Sequence, residues 1–405
     1  MATKAVTKTK TPTAVTLPAL QQAFRNTEDS LNDRVVERAS FVNTLMLALV
    51  GKMDVFGLGE PGVAKTMTVT LLRDHIADLG PTGYFWRLLT KFSTPSELFG
   101  PPDLKAMDEG VWRFQTKGTM VDANFIILDE IFKANSAILN TLLTFMNEGV
   151  FHNDVPIEVP KWVVFGLSNE LPQGEELNAL FDRLDLRVVI EKIQSSSGFI
   201  QMLKGSELGP VVPTLTVAQV TAAQDEVQKI EVTDDVRDAL LLLRQELKKA
   251  GVEPSDRRFA RSQTIIKAAA WMRGSGFTEI EDMGGLADSL WSSLDERSTV
   301  TTQVLQLASP LDALALKLRD DIDKLSEEFD IIFRDSDNKS VRNKKAIELH
   351  TKLDRGVEDL EELQAQLTPG RRSNIMDEME RRLGAMTAQI LRDVFNIDPE
   401  SKQAK

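Results

Sequence analysis

The stretch Gly57-Leu58-Gly59-Glu60-Pro61-Gly62-Val63-Ala64-Lys65-Thr66 decides how this chain of 405 residues is interpreted. A short apolar run precedes it (residues 53–56) and a helical pattern follows it (residues 67–79), so the local order is strand, glycine-rich loop, helix. Glycines let backbone N–H groups turn inward around phosphate oxygens. In such a loop the Lys65 ammonium can reach the β- and γ-phosphates, and the Thr66 hydroxyl can ligate Mg²⁺. The stretch therefore predicts a phosphate-binding loop.

One residue of the loop departs from the general pattern, because Ala64 stands where glycine usually precedes the lysine. Support comes from the continuous apolar run Phe125-Ile126-Ile127-Leu128, which is typical of a strand buried on both faces of a parallel sheet. Two acids, Asp129 and Glu130, follow it directly, which places them at the ligand edge of the sheet. Asp129 would hold Mg²⁺, directly or through water, and Glu130 would polarise the attacking water as general base. The alternative is an exposed acidic strand end.

Further polar residues follow in the order that such a site needs. Asn169 ends a predicted strand and could orient the water or sense the γ-phosphate, or it could merely cap a turn. Arg183 could reach the γ-phosphate of a neighbouring subunit, a role that contributes roughly 10³–10⁵ in rate in other phosphoryl-transfer systems. Taken alone, such an arginine is more often a surface charge. Arg257 and Arg258 open a helix after Ser255, where one of them could touch the nucleotide across an interdomain cleft or both could be a solvated pair.

Composition excludes several classes of site. The chain has no cysteine, which excludes disulfides, thiolate metal sites and a cysteine nucleophile, and its histidines, His75, His152 and His350, are scattered. The net charge of −13 opposes non-specific binding to nucleic acid. No apolar run approaches the roughly 18 residues that would span a bilayer, and no secretory signal pattern is found. We therefore expect a cytoplasmic protein.

The order of the predicted elements indicates an α/β fold with a doubly wound parallel sheet. The strands are predicted at residues 53–56, 84–89, 125–128, 162–167 and 186–190. They lie in a nucleotide-binding domain at residues 17–195, which follows a disordered tail at residues 1–16. Two segments, residues 101–118 and 149–160, interrupt the pattern as inserted hairpins. An all-α lid is predicted at residues 196–300. A C-terminal helical region follows at residues 301–405, and its near-heptad spacing favours a coiled-coil hairpin or a three-helix bundle.

These elements in this order resemble an AAA+ ATPase, and three stretches make the resemblance specific. They are similar to the MoxR family, especially its RavA-like branch, and the similarity covers about residues 37–273. The alanine at position 64, in place of glycine, also resembles that branch. The stretches are Phe92-Ser93-Thr94-Pro95-Ser96-Glu97-Leu98-Phe99-Gly100, then Leu128-Asp129-Glu130-Ile131-Phe132-Lys133-Ala134-Asn135 with Ala137-Ile138-Leu139-Asn140-Thr141-Leu142-Leu143, and Ser168-Asn169-Glu170-Leu171-Pro172.

The resemblance implies a role for each site residue. Asp129 and Glu130 match the Walker B acids, with Asp129 and Thr66 as ligands of Mg²⁺ and Glu130 as the catalytic base. Asn169 resembles sensor 1 and Arg183 the arginine finger. Sensor 2 would be Arg257, although the adjacent Arg258 could take that role. The insert with Trp112 resembles the helix-2 insert, and the later hairpin resembles the pre-sensor-1 hairpin. The nucleotide would be held by Walker A residues Gly59, Glu60, Pro61, Gly62, Val63, Ala64, Lys65 and Thr66.

The resemblance also implies a function, an ATPase that forms hexameric rings of identical subunits and remodels a protein client in a chaperone-like way. A von Willebrand factor A domain protein is the suspected partner. The RavA branch carries a compact β-rich domain within its helical region, and no such strand pattern is found here, so the function of that domain is not carried over. Two alternatives stay open: a motor that acts on nucleic acid, which the acidic charge disfavours, and a slow nucleotide-gated assembly scaffold.

Overall fold

The computed structural model describes residues 17–205, 208–335, 339–367 and 371–395, so the predicted N-terminal tail lies outside the described residues. Strands and helices alternate in the first half of this part of the chain, and helices follow. The strands are β1 (Val55–Leu58), β2 (Tyr84–Leu88), β3 (Phe125–Asp129), β4 (Val150–Phe151), β5 (Ile157–Glu158), β6 (Val163–Ser168) and β7 (Leu186–Val189). The helices are α1 (Ala19–Arg34), α2 (Ala39–Gly51), α3 (Lys65–Asp74), α4 (Pro95–Phe99), α5 (Leu104–Asp108), α6 (Ser136–Glu148), α7 (Glu175–Phe181), α8 (Ser196–Lys204), α9 (Val217–Lys229), α10 (Asp234–Lys249), α11 (Asp256–Arg273), α12 (Leu294–Ala308), α13 (Pro310–Asp335), α14 (Lys339–Gln364) and α15 (Asn374–Asp393).

The main sheet is parallel throughout, with the strand order β2-β3-β6-β1-β7. All residues of β1 and β6 and the first four of β3 are buried. Strands with apolar side chains on both faces are stable only where both faces are covered, which is the usual situation in a parallel sheet. The predicted α/β fold with a parallel sheet is confirmed.

The strand order brings three loops together at one edge of the sheet. Strand β6 lies between β1 and β3, with Ser168 opposite Leu58 and Gly166 opposite Leu128. The glycine-rich loop leaves β1, Asn169 follows β6, and Glu130 follows β3. Because the carboxyl ends of parallel strands meet at the same edge, these groups lie side by side in that order.

The two predicted inserts differ in structure. Residues 149–160 form the predicted hairpin, because β4 and β5 pair antiparallel. The prediction of a plain hairpin for residues 101–118 was wrong. Its base is antiparallel, with Pro102 opposite Phe114, but α5 occupies its interior. The cause is a helix cap, since the Asp103 carboxylate accepts hydrogen bonds from backbone N–H groups of the first turn of α5.

The lid is built from α9, α10, α11, the 3₁₀ helix Ile280–Asp288 and α12. Helix α11 has the predicted bounds because both of its ends are capped. The Ser255 hydroxyl accepts a hydrogen bond from the backbone N–H of Arg258, and Gly274 closes the helix in the left-handed conformation, with φ of 88°. Helix α8 begins the stretch 196–300 that was predicted as an all-α lid, although no individual helix was predicted at its position.

The described chain separates into two compact units, a larger one of residues 19–194 and 198–310 and a smaller one made mainly of the residues after Pro310. The larger unit contains the sheet and the lid. In the smaller unit α13, α14 and α15 share a core of their own, to which Ile322, Leu353 and Leu383 each contribute a fully buried side chain. The predicted C-terminal helical region is therefore confirmed.

Within the described residues, no helix combines the length and the apolar character needed to cross a bilayer.

Candidate active site

Two glycines of the phosphate loop are required by its geometry. A Cβ atom on Gly59 would lie 2.5 Å from the carbonyl oxygen of Ile190, so no side chain fits there. Gly62 has φ of +86°, a conformation that side-chain-bearing residues rarely adopt, and a Cβ there would meet open space. The loop therefore packs tightly against the residue after β7 at Gly59 and is open at Gly62. A glycine-rich loop before a helix can bind a phosphate group through its backbone N–H groups.

The remaining residues of the loop differ in exposure. Glu60 and Pro61 lie exposed at its tip, and the Glu60 carboxylate forms a solvent-exposed ion pair of 2.6 Å with Lys192. Val63 is buried beneath them, and its carbonyl oxygen accepts a hydrogen bond of 3.2 Å from Nε of Arg38, a largely buried arginine that precedes α2. The hydrogen bond from Arg38 thus stabilises the loop at Val63.

Ala64 adopts a left-handed backbone conformation, with φ of 64° and ψ of 25°, at the N-cap of α3. Glycine adopts this conformation without cost, whereas a Cβ atom raises its energy by about 1–2 kcal/mol. The departure from the general pattern therefore keeps the loop geometry and adds local backbone strain. Glu130 is strained in the same way, with φ of 55° and ψ of 43°.

Lys65, Asn169 and Glu130 form one hydrogen-bonded chain across three neighbouring strands. The Lys65 ammonium donates to the carbonyl oxygens of Gly59 and Glu60, the latter at 3.0 Å, and to Oδ1 of Asn169 at 2.8 Å. Asn169 in turn donates from Nδ2 to Oε1 of Glu130 at 2.6 Å. Partial burial lowers the pKa of Lys65, and the nearby carboxylates of Glu130 and Asp129 oppose that shift. Asn169, the predicted sensor, therefore joins the loop lysine to the predicted base.

Thr66 and Asp129 are also in contact. The Thr66 hydroxyl lies 3.0 Å and 3.1 Å from the two carboxylate oxygens of Asp129. Hydroxyl and carboxylate oxygens are the donors that Mg²⁺ prefers, and Mg²⁺ usually takes one or two protein ligands while water and phosphate complete its shell. Among the described residues, no group of three or more acidic, histidine or cysteine side chains could hold a metal alone. The pair fits Mg²⁺ that arrives with a nucleotide.

Glu130 has one oxygen available for a reacting group. Its Oε2 is buried and accepts no hydrogen bond within the described chain. The Lys133 ammonium lies 3.1 Å from that oxygen, but outside hydrogen-bond geometry, so it acts as a neighbouring charge. A buried carboxylate oxygen without a donor is energetically costly and is suited to accept a proton from a bound water molecule.

The three candidate arginines lie apart from this chain of contacts. Within the described residues, no hydrogen bond or ion pair joins Arg183 or Arg257 to the phosphate loop or to the acids. Arg183 follows α7 and donates from Nη1 to the carbonyl oxygen of Ala179 at 2.7 Å. Burial and then the nearby charge of Arg257 lower the pKa of Arg183.

The structure separates the two candidates for sensor 2. Arg258 has a side chain only 3% exposed, and it donates to the Asp182 carboxylate and to the carbonyl oxygens of Phe181 and Ser289. Its guanidinium is therefore fully engaged in structural contacts. The Arg257 side chain is 45% exposed and has one long ion pair, 3.8 Å to Asp182. Arg257 is the one of the two that is free to move toward a ligand.

Sequence reasoning missed Trp86, which lies at the site. Its indole Nε1 donates to Oδ2 of Asp129 at 2.9 Å, although the side chain is 47% exposed. The signal was weak, because Trp86 stands in the middle of β2 among other large residues. Its position follows from the pairing of β2 with β3, which places Trp86 opposite Ile127, two residues before Asp129, and the sequence alone does not give that pairing.

The sequence matches two family models. One, described as "MoxR domain in the MoxR-vWA-beta-propeller ternary systems", matches residues 22–230, just over half of the chain. The other, an AAA lid domain, matches residues 235–304. The chain belongs to the MoxR family of AAA+ ATPases. Membership implies nucleotide binding and places the chain in a class of ATP-hydrolysing enzymes.

Individual relatives agree with this family. Two proteins of Methanocaldococcus jannaschii, named "Uncharacterized protein MJ0812" and "Uncharacterized protein MJ0079", are each 32% identical to the chain. The first match covers 76% of this chain and 82% of the relative, and the second covers 69% and 73%. The crystal structure of a proposed ATPase from Cytophaga hutchinsonii superposes with a TM-score of 0.57 at 17% identity, covering 71% of this chain and 94% of that one, which shows a shared fold.

Proposed function

We propose that this MoxR protein hydrolyses ATP at sites shared between adjacent copies of the chain, and that the cycle remodels a protein client. The observation that carries the proposal is the hydrogen-bonded chain from Lys65 through Asn169 to Glu130. It brings together an ammonium that would bind phosphate, an amide that would orient its neighbours and a carboxylate that would act as base. A phosphate-binding protein without hydrolysis would not need the second and third of these groups.

Each side chain has a definable task in this proposal. Lys65 and the loop backbone would bind the nucleotide phosphates, and Thr66 with Asp129 would hold Mg²⁺. The metal, when bound, supplies positive charge that stabilises the developing negative charge on the phosphate oxygens. Glu130 would accept the proton of the attacking water through its unbonded Oε2, and Asn169 would fix the orientation of Glu130 through Oε1.

The shared site is inferred from the position of Arg183. It lies on the α7–β7 connection, away from the phosphate loop of its own chain, and partial burial lowers its pKa. If Arg183 acts on a nucleotide, it would therefore act on the one bound to a neighbouring copy of the chain. The proposal therefore includes a ring of identical subunits, and the family resemblance favours a hexamer in the cytoplasm.

The client and partner are proposed from the inserts and the family. The two inserts form one unit, because Asn153 accepts a hydrogen bond of 2.8 Å from the backbone N–H of Phe114 and donates one of 3.2 Å to its carbonyl oxygen. Trp112, which is 60% exposed, packs edge-on against Phe114 and presents an aromatic surface for a client. The description of the matching family model supports a partner with a von Willebrand factor A domain. Whether the chain belongs to the RavA-like branch stays a prediction.

Replacing the proposed base tests hydrolysis directly. We expect Glu130→Gln to bind ATP with unchanged affinity and to lose about 10²–10⁴ of its turnover, because the amide cannot accept the proton. The measurements are nucleotide affinity by a fluorescent analogue and phosphate release at saturating ATP. Glu158→Gln, which removes an exposed carboxylate on β5, should turn over like the wild type. Full hydrolysis by Glu130→Gln would refute the assignment.

Mixing two inactive variants tests the shared site. Arg183→Ala retains its own phosphate loop but lacks the finger, whereas Lys65→Ala retains the finger but lacks a working loop. We expect each variant to be inactive alone. In a mixture, turnover should recover at interfaces where Arg183 of a Lys65→Ala subunit reaches the intact phosphate loop of an Arg183→Ala subunit. If subunits exchange and no turnover is recovered, the shared site is wrong.

A further inference from the structure

We infer that Asp182 is a positioning residue that couples the lid of each subunit to the arginine finger it presents to its neighbour. Asp182 immediately precedes Arg183 and caps the C-terminus of α7. The inference rests on the proposed function, since it assigns a regulator to that finger. Its evidence is the set of contacts that Asp182 makes with the lid.

The Asp182 carboxylate is bound by the first turn of α11. Its Oδ1 accepts hydrogen bonds from Oγ of Ser255 at 3.1 Å and from Nε of Arg258 at 3.0 Å. Its Oδ2 lies 3.8 Å from Nη1 of Arg257. All three partners belong to the cap and opening residues of one lid helix, so a displacement of that helix acts directly on Asp182.

A second set of contacts fixes the same point of α7 to the lid. The carbonyl oxygen of Phe181 accepts hydrogen bonds from Nη2 of Arg258 at 3.4 Å and from Nη2 of Arg187 at 2.6 Å. The guanidinium of Arg187 also lies 3.6 Å above the Phe181 ring and donates to the carbonyl oxygen of Trp291. Positive charge at the C-terminus of a helix is stabilising, and here the two guanidiniums also attach that terminus to the lid.

Arg183 is attached to the same turn. Its backbone N–H donates to the carbonyl oxygen of Leu180 at 3.0 Å, and its Nη1 donates to that of Ala179 at 2.7 Å. The side chain therefore moves with the end of α7. Asp182 also places a negative charge beside the like charges of Arg183 and Arg257, which repel each other. Loss of that charge would release the finger and separate it from α11.

A neighbouring ion pair provides a matched control. Arg261, one turn further along α11, forms a bidentate pair with Asp185, with Nε–Oδ1 and Nη2–Oδ2 both at 2.7 Å. This pair joins the lid to the loop before β7, but it makes no contact with α7 or with Arg183 in the described structure. General cohesion between lid and sheet should therefore respond to Arg261, and the position of the finger should respond to Asp182.

The test places each change in the subunit that donates the finger. The donor carries Lys65→Ala, so it has no working site of its own, and the acceptor carries Arg183→Ala. Adding Asp182→Asn to the donor should reduce the recovered turnover of the mixture by at least about tenfold, because displacements near 1 Å can cost about 100-fold in such sites. Adding Arg261→Gln to the donor should leave the recovered turnover within about twofold. Asp182→Asn alone should bind ATP with unchanged affinity.

The outcomes separate this inference from the proposed function. If the mixture of Lys65→Ala and Arg183→Ala subunits without further changes recovers no turnover, the proposal of a shared site is wrong, and so is the coupling that rests on it. If it recovers turnover and Asp182→Asn has no effect, or if Arg261→Gln has the same effect, only the coupling is wrong. Should Asp182→Asn not fold, Ser255→Ala removes one hydrogen bond to the same carboxylate without leaving a buried charge, and it should lower the recovered turnover about two- to threefold. No loss with Ser255→Ala would then overturn the coupling.

Discussion

Asp288 lies at the junction of the sheet domain and the lid. Its carboxyl group should give the free energy of unfolding an unusual pH dependence. The residue ends the 3₁₀ helix Ile280–Asp288, and its Oδ2 accepts a hydrogen bond of 3.2 Å from the Thr44 hydroxyl on α2. Burial raises the pKa of Asp288 to about 6 from an ordinary value of 3.8, although the charge of Arg297 and the Thr44 hydroxyl act in the opposite direction. Its charged form is therefore disfavoured in the folded protein.

The sign of the effect follows from proton binding. Between pH 4 and pH 6 the folded protein binds more protons at Asp288 than the unfolded chain does, so the free energy of unfolding falls as the pH rises. A shift of about two units corresponds to about 3 kcal/mol, since each unit is worth 1.36 kcal/mol. The loss ends about one pH unit above the folded-state pKa, near pH 7. Asp288→Asn removes the titrating group, so we expect this variant to exceed the wild type in stability by up to about 3 kcal/mol at pH 7.5 and by much less at pH 4.

Urea unfolding of both proteins at several pH values between 4 and 8, followed by circular dichroism and tryptophan emission, measures this difference. Asp225→Asn removes the same charge from an exposed position on the lid helix α9 and should change the difference by less than about 0.5 kcal/mol. A difference between Asp288→Asn and wild type that does not vary with pH would refute the reasoning, because burial of the carboxylate would then have no energetic consequence.

Other perturbations follow from single contacts. Binding of Mg²⁺ and ATP should draw Asp129 from the Trp86 indole and change tryptophan emission, and Trp86→Phe should lose that change; a full change in the variant would contradict the assignment. Ala64→Gly should relieve about 1–2 kcal/mol of left-handed backbone strain in the folded protein, while the greater entropy of glycine in the unfolded chain offsets about 0.4–1 kcal/mol of that gain. The variant should therefore have a higher thermal midpoint than the wild type in the absence of nucleotide, and a lower midpoint would contradict this. Lys161→Met should destabilise by about 3–5 kcal/mol in urea, because Asp54 then keeps a buried charge without its partner at 2.6 Å; a loss below 1 kcal/mol would show that the pair is not needed.

The sheet and the acids at its edge were predictable because each follows from a short pattern. Continuous apolar runs such as Phe125-Ile126-Ile127-Leu128 occur in strands buried on both faces, and the residues after them must lie at the ligand edge. That argument needs no knowledge of strand order. It placed Asp129, Glu130 and Asn169 at the same edge of the sheet as the phosphate loop. In the structure Asn169 contacts both Lys65 and Glu130, and Asp129 contacts Thr66.

Features that depend on burial between distant segments were not predictable. Arg257 and Arg258 are adjacent and chemically identical, and only the packing of α11 against α7 decides which one is buried. Trp86 likewise reaches Asp129 because β2 is the neighbour of β3, which the chain order does not specify. Helix α5 was missed because an aspartate cap outweighed the aromatic, turn-bracketed pattern that favoured a hairpin.

The strand order also explains why Asn169 is central to the site. Strand β6 separates β1 from β3, so the loop lysine and the acidic pair leave strands that are not neighbours. Strands in a sheet lie about 4.8 Å apart, which leaves roughly 10 Å between the ends of β1 and β3. Asn169, which follows the strand between them, spans that gap through its side chain, with one amide atom on Lys65 and the other on Glu130. A group with one acceptor and one donor is required there, because the ammonium only donates and the carboxylate only accepts.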